Sequence, residues 1–150
     1  AEAVVIQGLA ARLAEALAAY GTAPERFGLI HGDMRLGNLL VDGGRVTLID
    51  FDDSGFGWFG YDFGAAVSFH ETHPMLGAWR ESWLEHYLAV RPLGAEDIQM
   101  LDAMVMLRRM ALLAWIGSHA DTALARRHAD GYAAGTADLA EAYLSRGRIA

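Results

Sequence analysis

The sequence predicts an α+β fold that is mostly α-helical, and three observations carry that expectation. Apolar residues recur at helical spacing from Ala3 to Tyr20, a single Asp-Gly-Gly turn joins two short β-favouring runs, and from Tyr61 onward the periodicity is helical throughout. In chain order, Val5, Ile6, Leu9, Leu13, Leu17 and Tyr20 mark one face of the first helix, with alanines in the gaps and Gly21 as its stop. Phe27 to Ile30 is a short apolar run leading into His31-Gly32-Asp33. Leu39-Leu40-Val41 and Val46-Thr47-Leu48-Ile49 flank Asp42-Gly43-Gly44, residue types that accept the positive φ of a tight hairpin. Helices are expected over 61–70, 76–90, 95–118 and 122–145, with breaks around Pro74, at Arg91-Pro92-Leu93-Gly94 and at His119-Ala120-Asp121. No internal repeat of the length used by solenoids is present.

Composition narrows what such a fold can do. At 150 residues and 53% hydrophobic content, the chain supports one domain, 1–150, with a real core. It has no cysteine, so disulfides and thiolate metal sites are both excluded and a cytoplasmic setting is favoured. A net charge of -7 argues against nucleic acid or an anionic membrane surface as the main partner, because both are bound through basic patches. A cationic or polar substrate fits better. The apolar stretch from Ile98 to Ile116 is interrupted by Asp102, Arg108 and Arg109, which suits a buried core helix and not a membrane span. The start, Ala1-Glu2-Ala3, has neither an initiator Met nor a basic region, and is read as lying inside a longer protein.

The chemistry is concentrated in His31-Gly32-Asp33-Met34-Arg35-Leu36-Gly37-Asn38, the hairpin, and Ile49-Asp50-Phe51-Asp52-Asp53. Phosphoryl transfer needs a carboxylate to orient and deprotonate the attacking hydroxyl, and hard oxygen ligands to hold a divalent cation on the phosphates. Asp33, Asn38 and Asp50 provide that set. Asn38 precedes the first strand of the hairpin and Asp50 ends the second, so closing the hairpin brings them to one edge.

His-x-Asp, four residues, Asn, a hairpin and then Asp-Phe resembles the catalytic and metal loops of the protein-kinase-like fold. Gly32 directs the resemblance to the aminoglycoside phosphotransferase and choline kinase families. Asp50-Phe51-Asp52-Asp53-Ser54-Gly55-Phe56-Gly57-Trp58 and Tyr61-Asp62-Phe63 are similar to the branch containing homoserine kinase type II and stress response kinase A. The resemblance implies the C-terminal lobe of that fold, with helices around a catalytic loop and a short hairpin. It further implies ATP and Mg²⁺ as cofactors and transfer of the γ-phosphate to a hydroxyl of a small polar molecule. By position, Asp33 would be the base, Asn38 and Asp50 the Mg²⁺ ligands, and His31 a brace for the metal loop, so that His31, Asn38 and Asp50 form the cofactor-binding group. Asp62 would tie its helix to the catalytic loop, and Arg35 would touch the transferred phosphate.

The same resemblance carries a Gly-rich loop over the phosphates and a strand Lys paired with a helix Glu, and the chain has neither. The N-terminal, ATP-covering lobe is therefore expected to be absent and the fragment alone to transfer phosphate poorly. A missing N-terminal lobe, or self-association through the exposed lobe face, is the expected partner. Two other readings compete: a non-catalytic binding module, and a protein Ser/Thr kinase of the stress response kinase A type. Metal-dependent phosphoester hydrolysis would need more converging ligands.

Several residues have plainer explanations. Asp52 is a candidate substrate or additional metal ligand, but Asp52 and Asp53 equally suit solvated turn positions or caps for backbone amides. Phe56, Trp58 and Tyr61 are expected to pack. His70-Glu71-Thr72-His73 lacks histidines four apart, and a helix end before Pro74 explains it better than zinc. Met100, Met104, Met106 and Met110 are expected to fill core, and Arg108-Arg109 and Arg126-Arg127 to be solvated or ion-paired.

Overall fold

A computed structural model describes residues 2–149, in two compact units, 22–105 and the combined segments up to 21 and from 106 onward. The 22–105 unit contains both two-stranded sheets. Strand β1 (Phe27–Ile30) is followed by a 3₁₀ turn (Leu36–Asn38), the hairpin β2 (Leu39–Asp42) and β3 (Arg45–Leu48), and then β4 (Gly55–Trp58). The helices of this unit are α2 (Tyr61–Ala66), α3 (Leu76–Leu88), α4 (Ala95–Gln99) and the start of α5 (Leu101–Ser118). The mostly helical α+β architecture follows the pattern of the sequence.

Strands β2 and β3 pair antiparallel with Leu39 opposite Leu48 and Asp42 opposite Arg45, the hairpin that Asp42-Gly43-Gly44 announces. The second sheet was not expected. Gly55–Trp58, which the glycines present as a turn, is a strand paired with β1, Phe27 opposite Trp58 and Gly28 opposite Gly57. Side chains from elsewhere need those glycines. A Cβ on Gly28 would fall 2.8 Å from the Phe59 ring, and one on Gly57 would overlap the Ile30 side chain. Phe27 and Trp58 close the end of the sheet edge to face, with centroids 5.4 Å apart.

The helices deviate from expectation in two places within this unit. The first ends at Ala66, not near 70, and Phe69 takes a positive φ of 68°. The expected 95–118 helix divides at Met100 with neither Gly nor Pro to break it. Its cause lies in α3: Arg80 donates to the Ile98 carbonyl at 2.8 Å and to the Asp102 carboxylate at 3.1 Å, drawing that carbonyl out of the helical ladder. Phe63, Ala65, Val67, Leu76, Leu101 and Met104 form the buried apolar centre.

In the other unit, α1 (Glu2–Tyr20) packs along α7 (Tyr132–Arg146), with the short α6 (Ala123–Ala129) beside it. By length and composition α1 is apolar enough to cross a membrane. Leu9, Leu13 and Tyr20 are its buried residues, and most of the helix is not buried. The expected 122–145 helix is split at Gly131, whose φ of 73° is open to glycine at little cost. Arg108 and Arg109 are buried, which excludes the solvated of the two expected settings. Arg109 Nε donates to Thr136 Oγ1 at 3.0 Å, and its guanidinium lies 4.3 Å over the Tyr132 ring. Arg126 and Arg127 are exposed, and Met104 and Met106 are core, both as the sequence suggested.

Candidate active site

The loop after β1 is fixed from both sides by hydrogen bonds. The Asp62 carboxylate, in the first turn of α2, accepts the backbone N–H of His31 through Oδ2 and that of Gly32 through Oδ1, each at 2.9 Å. One acidic side chain thus satisfies two consecutive amides and sets where Asp33 begins. Gly32 has φ +80°, and a Cβ there would lie 2.5 Å from the Asp53 carbonyl oxygen. The following turn presses directly on the loop, so no side chain fits. Ser54 Oγ adds a long bond to the His31 carbonyl, 3.4 Å.

His31 is buried and bridges the two loops. Its Nδ1 accepts the Asp33 amide at 3.2 Å, so the ring proton sits on Nε2 and is donated to the Ile49 carbonyl at 3.0 Å. The Phe51 ring covers the imidazole with centroids 4.7 Å apart. His31 therefore holds the segment just before Asp50 and is not oriented as a metal ligand.

Asp33 stands at the centre of the polar set. Its Oδ2 receives Arg35 Nε at 3.0 Å and Asn38 Nδ2 at 2.9 Å, and the same Nδ2 also reaches the Asp33 carbonyl at 2.9 Å. Both donors meet one carboxylate oxygen and so fix how the carboxylate is turned. Asn38 is buried, and with its amide nitrogen turned to Asp33, its Oδ1 is presented as an acceptor.

The hairpin closes as its sequence requires. Ile49 N–H donates to the Asn38 carbonyl at 3.0 Å, which places Asp50 one residue beyond Asn38's partner across the ladder. Asp50 is exposed and has φ 67°, a strained conformation for a residue with a side chain. Asp52 and Asp53 are the middle residues of a turn closed by Ser54 N–H to the Phe51 carbonyl at 3.0 Å, and both are exposed. Trp58 packs as expected, but Phe56 is 80% exposed and does not.

Sequence reasoning missed α3 as a functional candidate. Trp79, Trp83 and Tyr87 recur every four residues along it and, with Ser82 and His86, line a groove of about 490 Å³. The i, i+4, i+8 aromatic spacing was the available signal. Trp83 stacks on Tyr87 at 4.4 Å and packs against Phe63, the residue after Asp62, at 5.2 Å. Burial pushes the Tyr87 hydroxyl pKa above its ordinary value. Arg91 opposes that shift, and Asp62 and Asp97 add to it. The two histidines of the 70–73 segment pack on Trp79, with His73 stacked at 4.6 Å and His70 edge-on at 6.2 Å. No metal-binding cluster of three or more His, Cys, Asp or Glu occurs among the described residues.

Comparison with known proteins supplies a frame for this geometry. A sequence profile of the phosphotransferase enzyme family matches residues 1–97. Amicoumacin kinase of Bacillus subtilis (strain 168) is 30% identical over 69 residues, 43% of this chain and 20% of that protein. The structure of a microcompartment-associated aminopropanol kinase superposes with a TM-score of 0.91 at 48% identity, covering 99% of this chain and 48% of that one. Amicoumacin kinase hAmiN, solved in complex with AMP-PNP, Ca²⁺ and Ami, gives a TM-score of 0.72 at 20% identity, covering 90% of this chain and 44% of that one. At that identity the likeness is one of fold. The chain spans about half the length of these two solved proteins.

Proposed function

Because the chain belongs to the phosphotransferase enzyme family, we propose that it forms the catalytic and metal-binding lobe of an ATP-dependent kinase, one that phosphorylates a hydroxyl of a small polar molecule. The observation that carries this reading is the convergence of Arg35 and Asn38 on Asp33 Oδ2, which fixes the orientation of the carboxylate. In the proposed reaction the Asp33 carboxylate accepts the proton of the attacking hydroxyl as its oxygen bonds to the γ-phosphorus and the bond to the β-phosphate oxygen breaks. Arg35 lies beside that carboxylate and would balance the charge of the transferred phosphoryl group.

The residues present suit a hard divalent cation. Asn38 offers an amide oxygen because its nitrogen is committed to Asp33, and Asp50 offers an exposed carboxylate across the hairpin end. Oxygen donors of this kind match Mg²⁺, which would neutralise phosphate charge. His31 would serve by holding the Ile49 carbonyl, and hence Asp50, in place. Asp52, at an exposed turn beside the loop, is a candidate contact for a cationic acceptor. The aminopropanol kinase, 48% identical over nearly all of this chain, supports an amino alcohol as the acceptor class. With a net charge of -7 and no cysteine, the reading places the protein in the cytoplasm, without nucleic-acid or membrane partners.

The test is phosphate-donor turnover by the complete gene product with Mg²⁺ and a panel of amino alcohols, diols and sugars. Asp33→Ala should lower kcat by roughly 10²- to 10⁴-fold, the usual contribution of a positioned base. Turnover that survives the substitution unchanged would remove Asp33 from the role. No ATP use by the intact protein would replace the kinase reading with a binding module.

A further inference from the structure

We infer that Gly37 is a positioning residue: its missing side chain leaves open the seat in which the Arg35 guanidinium lies against Asp33. The other glycines around the loop have reasons of their own. Gly32 needs its positive φ and meets the Asp53 carbonyl, Gly43 and Gly44 take the positive φ of the hairpin turn, and Gly57 lies under Ile30. Gly37 shares none of these. It is exposed, sits in the 3₁₀ turn and is not among the glycines of positive φ. Alanine suits such a backbone, and by restricting the unfolded chain it would ordinarily stabilise the protein.

Arg35 supplies the missing reason. Beyond the adjoining backbone, the only atoms of the described residues within 4 Å of a Cβ at Gly37 are Arg35 Nη1 at 2.7 Å and Cζ at 3.6 Å. At the shorter distance something has to shift, and the Arg35 backbone is pinned on both sides. Its N–H donates to the Asp33 carbonyl at 2.8 Å, and its carbonyl accepts the Asn38 N–H at 2.9 Å. The side chain is what gives. Nη1 and Nε belong to one rigid plane, so displacing Nη1 turns Nε away from Asp33 Oδ2, which it now meets at 3.0 Å. On the function proposed above, on which this step rests, Gly37 thereby sets both the turn of the base and the place of the cation beside the transferred phosphoryl group.

The seat is tested without turnover, in the complete gene product, by the NMR resonance of the Arg35 Nε–H group, identified by its loss in Arg35→Lys. Gly37→Ala should shift that resonance and speed its exchange with solvent, while the thermal midpoint stays level or rises. An unmoved resonance would overturn the inference. A sharp drop in the midpoint would do so equally, because the backbone and not Arg35 would then require the glycine.

Kinetics test the consequence. Arg35→Ala should lower kcat about 100-fold and Gly37→Ala about tenfold, with KM for the acceptor little changed. In an Arg35→Ala background, Gly37→Ala should change kcat by less than about twofold, since the group it displaces is gone. An undiminished loss in that background would overturn the inference, for the glycine would then serve a bound substrate directly. Failure of the kinase reading looks different: the native protein turns over no acceptor, while the Arg35 resonance still moves in Gly37→Ala and the seat stands without its effect on rate.

Discussion

Asp62 shows how much of the site depends on a side chain that touches no substrate in the proposed reaction. It accepts the amides of His31 and Gly32 together, and both become unsatisfied if it is removed. Asp62→Ala should cost about 2–4 kcal/mol in urea unfolding, and Asp62→Asn less, because the amide retains one acceptor oxygen. Activity of the complete gene product should fall in the same order. Equal stability of the Asn and Ala forms would show that the paired acceptors are not what fixes the loop. Tyr87 provides a pH prediction with a definite sign. Its hydroxyl pKa is raised above the ordinary value, chiefly by burial, so the folded state holds the proton more tightly than the unfolded state does. That contribution is fully present below the unfolded value of about 10 and is lost as pH rises through the folded one. Denaturation midpoints should therefore fall with a Tyr87 component above about pH 10, and Tyr87→Phe should remove that component. A Tyr87→Phe profile that parallels the native one throughout the alkaline range would contradict it.

Among the elements, the glycines show where a backbone rule is enough and where packing decides. Gly32 and Gly131 both have positive φ, near 80° and 73°, so either pays conformational strain if it becomes Ala. Only Gly32 also faces a neighbour, the Asp53 carbonyl, whereas nothing lies within 4 Å of a Cβ at Gly131. Gly32→Ala should therefore cost about 2–4 kcal/mol and Gly131→Ala about 1 kcal/mol in thermal unfolding. Equal losses would mean that the turn at Asp53 yields freely. The same distinction explains what could be read from the chain. The β2–β3 hairpin was legible because Asp42-Gly43-Gly44 is local turn chemistry, and the proximity of Asn38 to the segment before Asp50 followed from it. Strand β4 was not, because Gly55 and Gly57 resemble a turn until Ile30 is known to lie over Gly57. The break at Met100 was hidden for a similar reason: its cause is Arg80, eighteen residues before the carbonyl it captures. The polar spacing exposed the candidate site. The positive φ of Asp50 and the Gly32 contact with Asp53 are tertiary facts with no sequence signal.

For the whole molecule, the apolar surface around the site carries the remaining prediction. Leu36, Leu40, Val41, Val46 and Phe51 are all more than half exposed, and they lie on the loop, the hairpin and the segment beside Asp50. Scattered apolar residues on a surface need no explanation, but a contiguous stretch of sequence that exposes this many large ones favours association. The two solved relatives contain about as much chain again as they share with this one. Covering by that additional chain would remove the surface from water in the complete protein, and the 150-residue chain alone should cover it by self-association. Sedimentation velocity should then show dimers or larger species that grow with concentration, and Val41→Glu with Val46→Glu should return the monomer without changing the circular dichroism spectrum. Both substitutions sit on the exposed face of a short hairpin, so they should leave the hydrogen-bonded register intact. A native chain that stays monomeric at high concentration would show that this surface is tolerated in water, and the case for a covering lobe would then rest on the relatives alone.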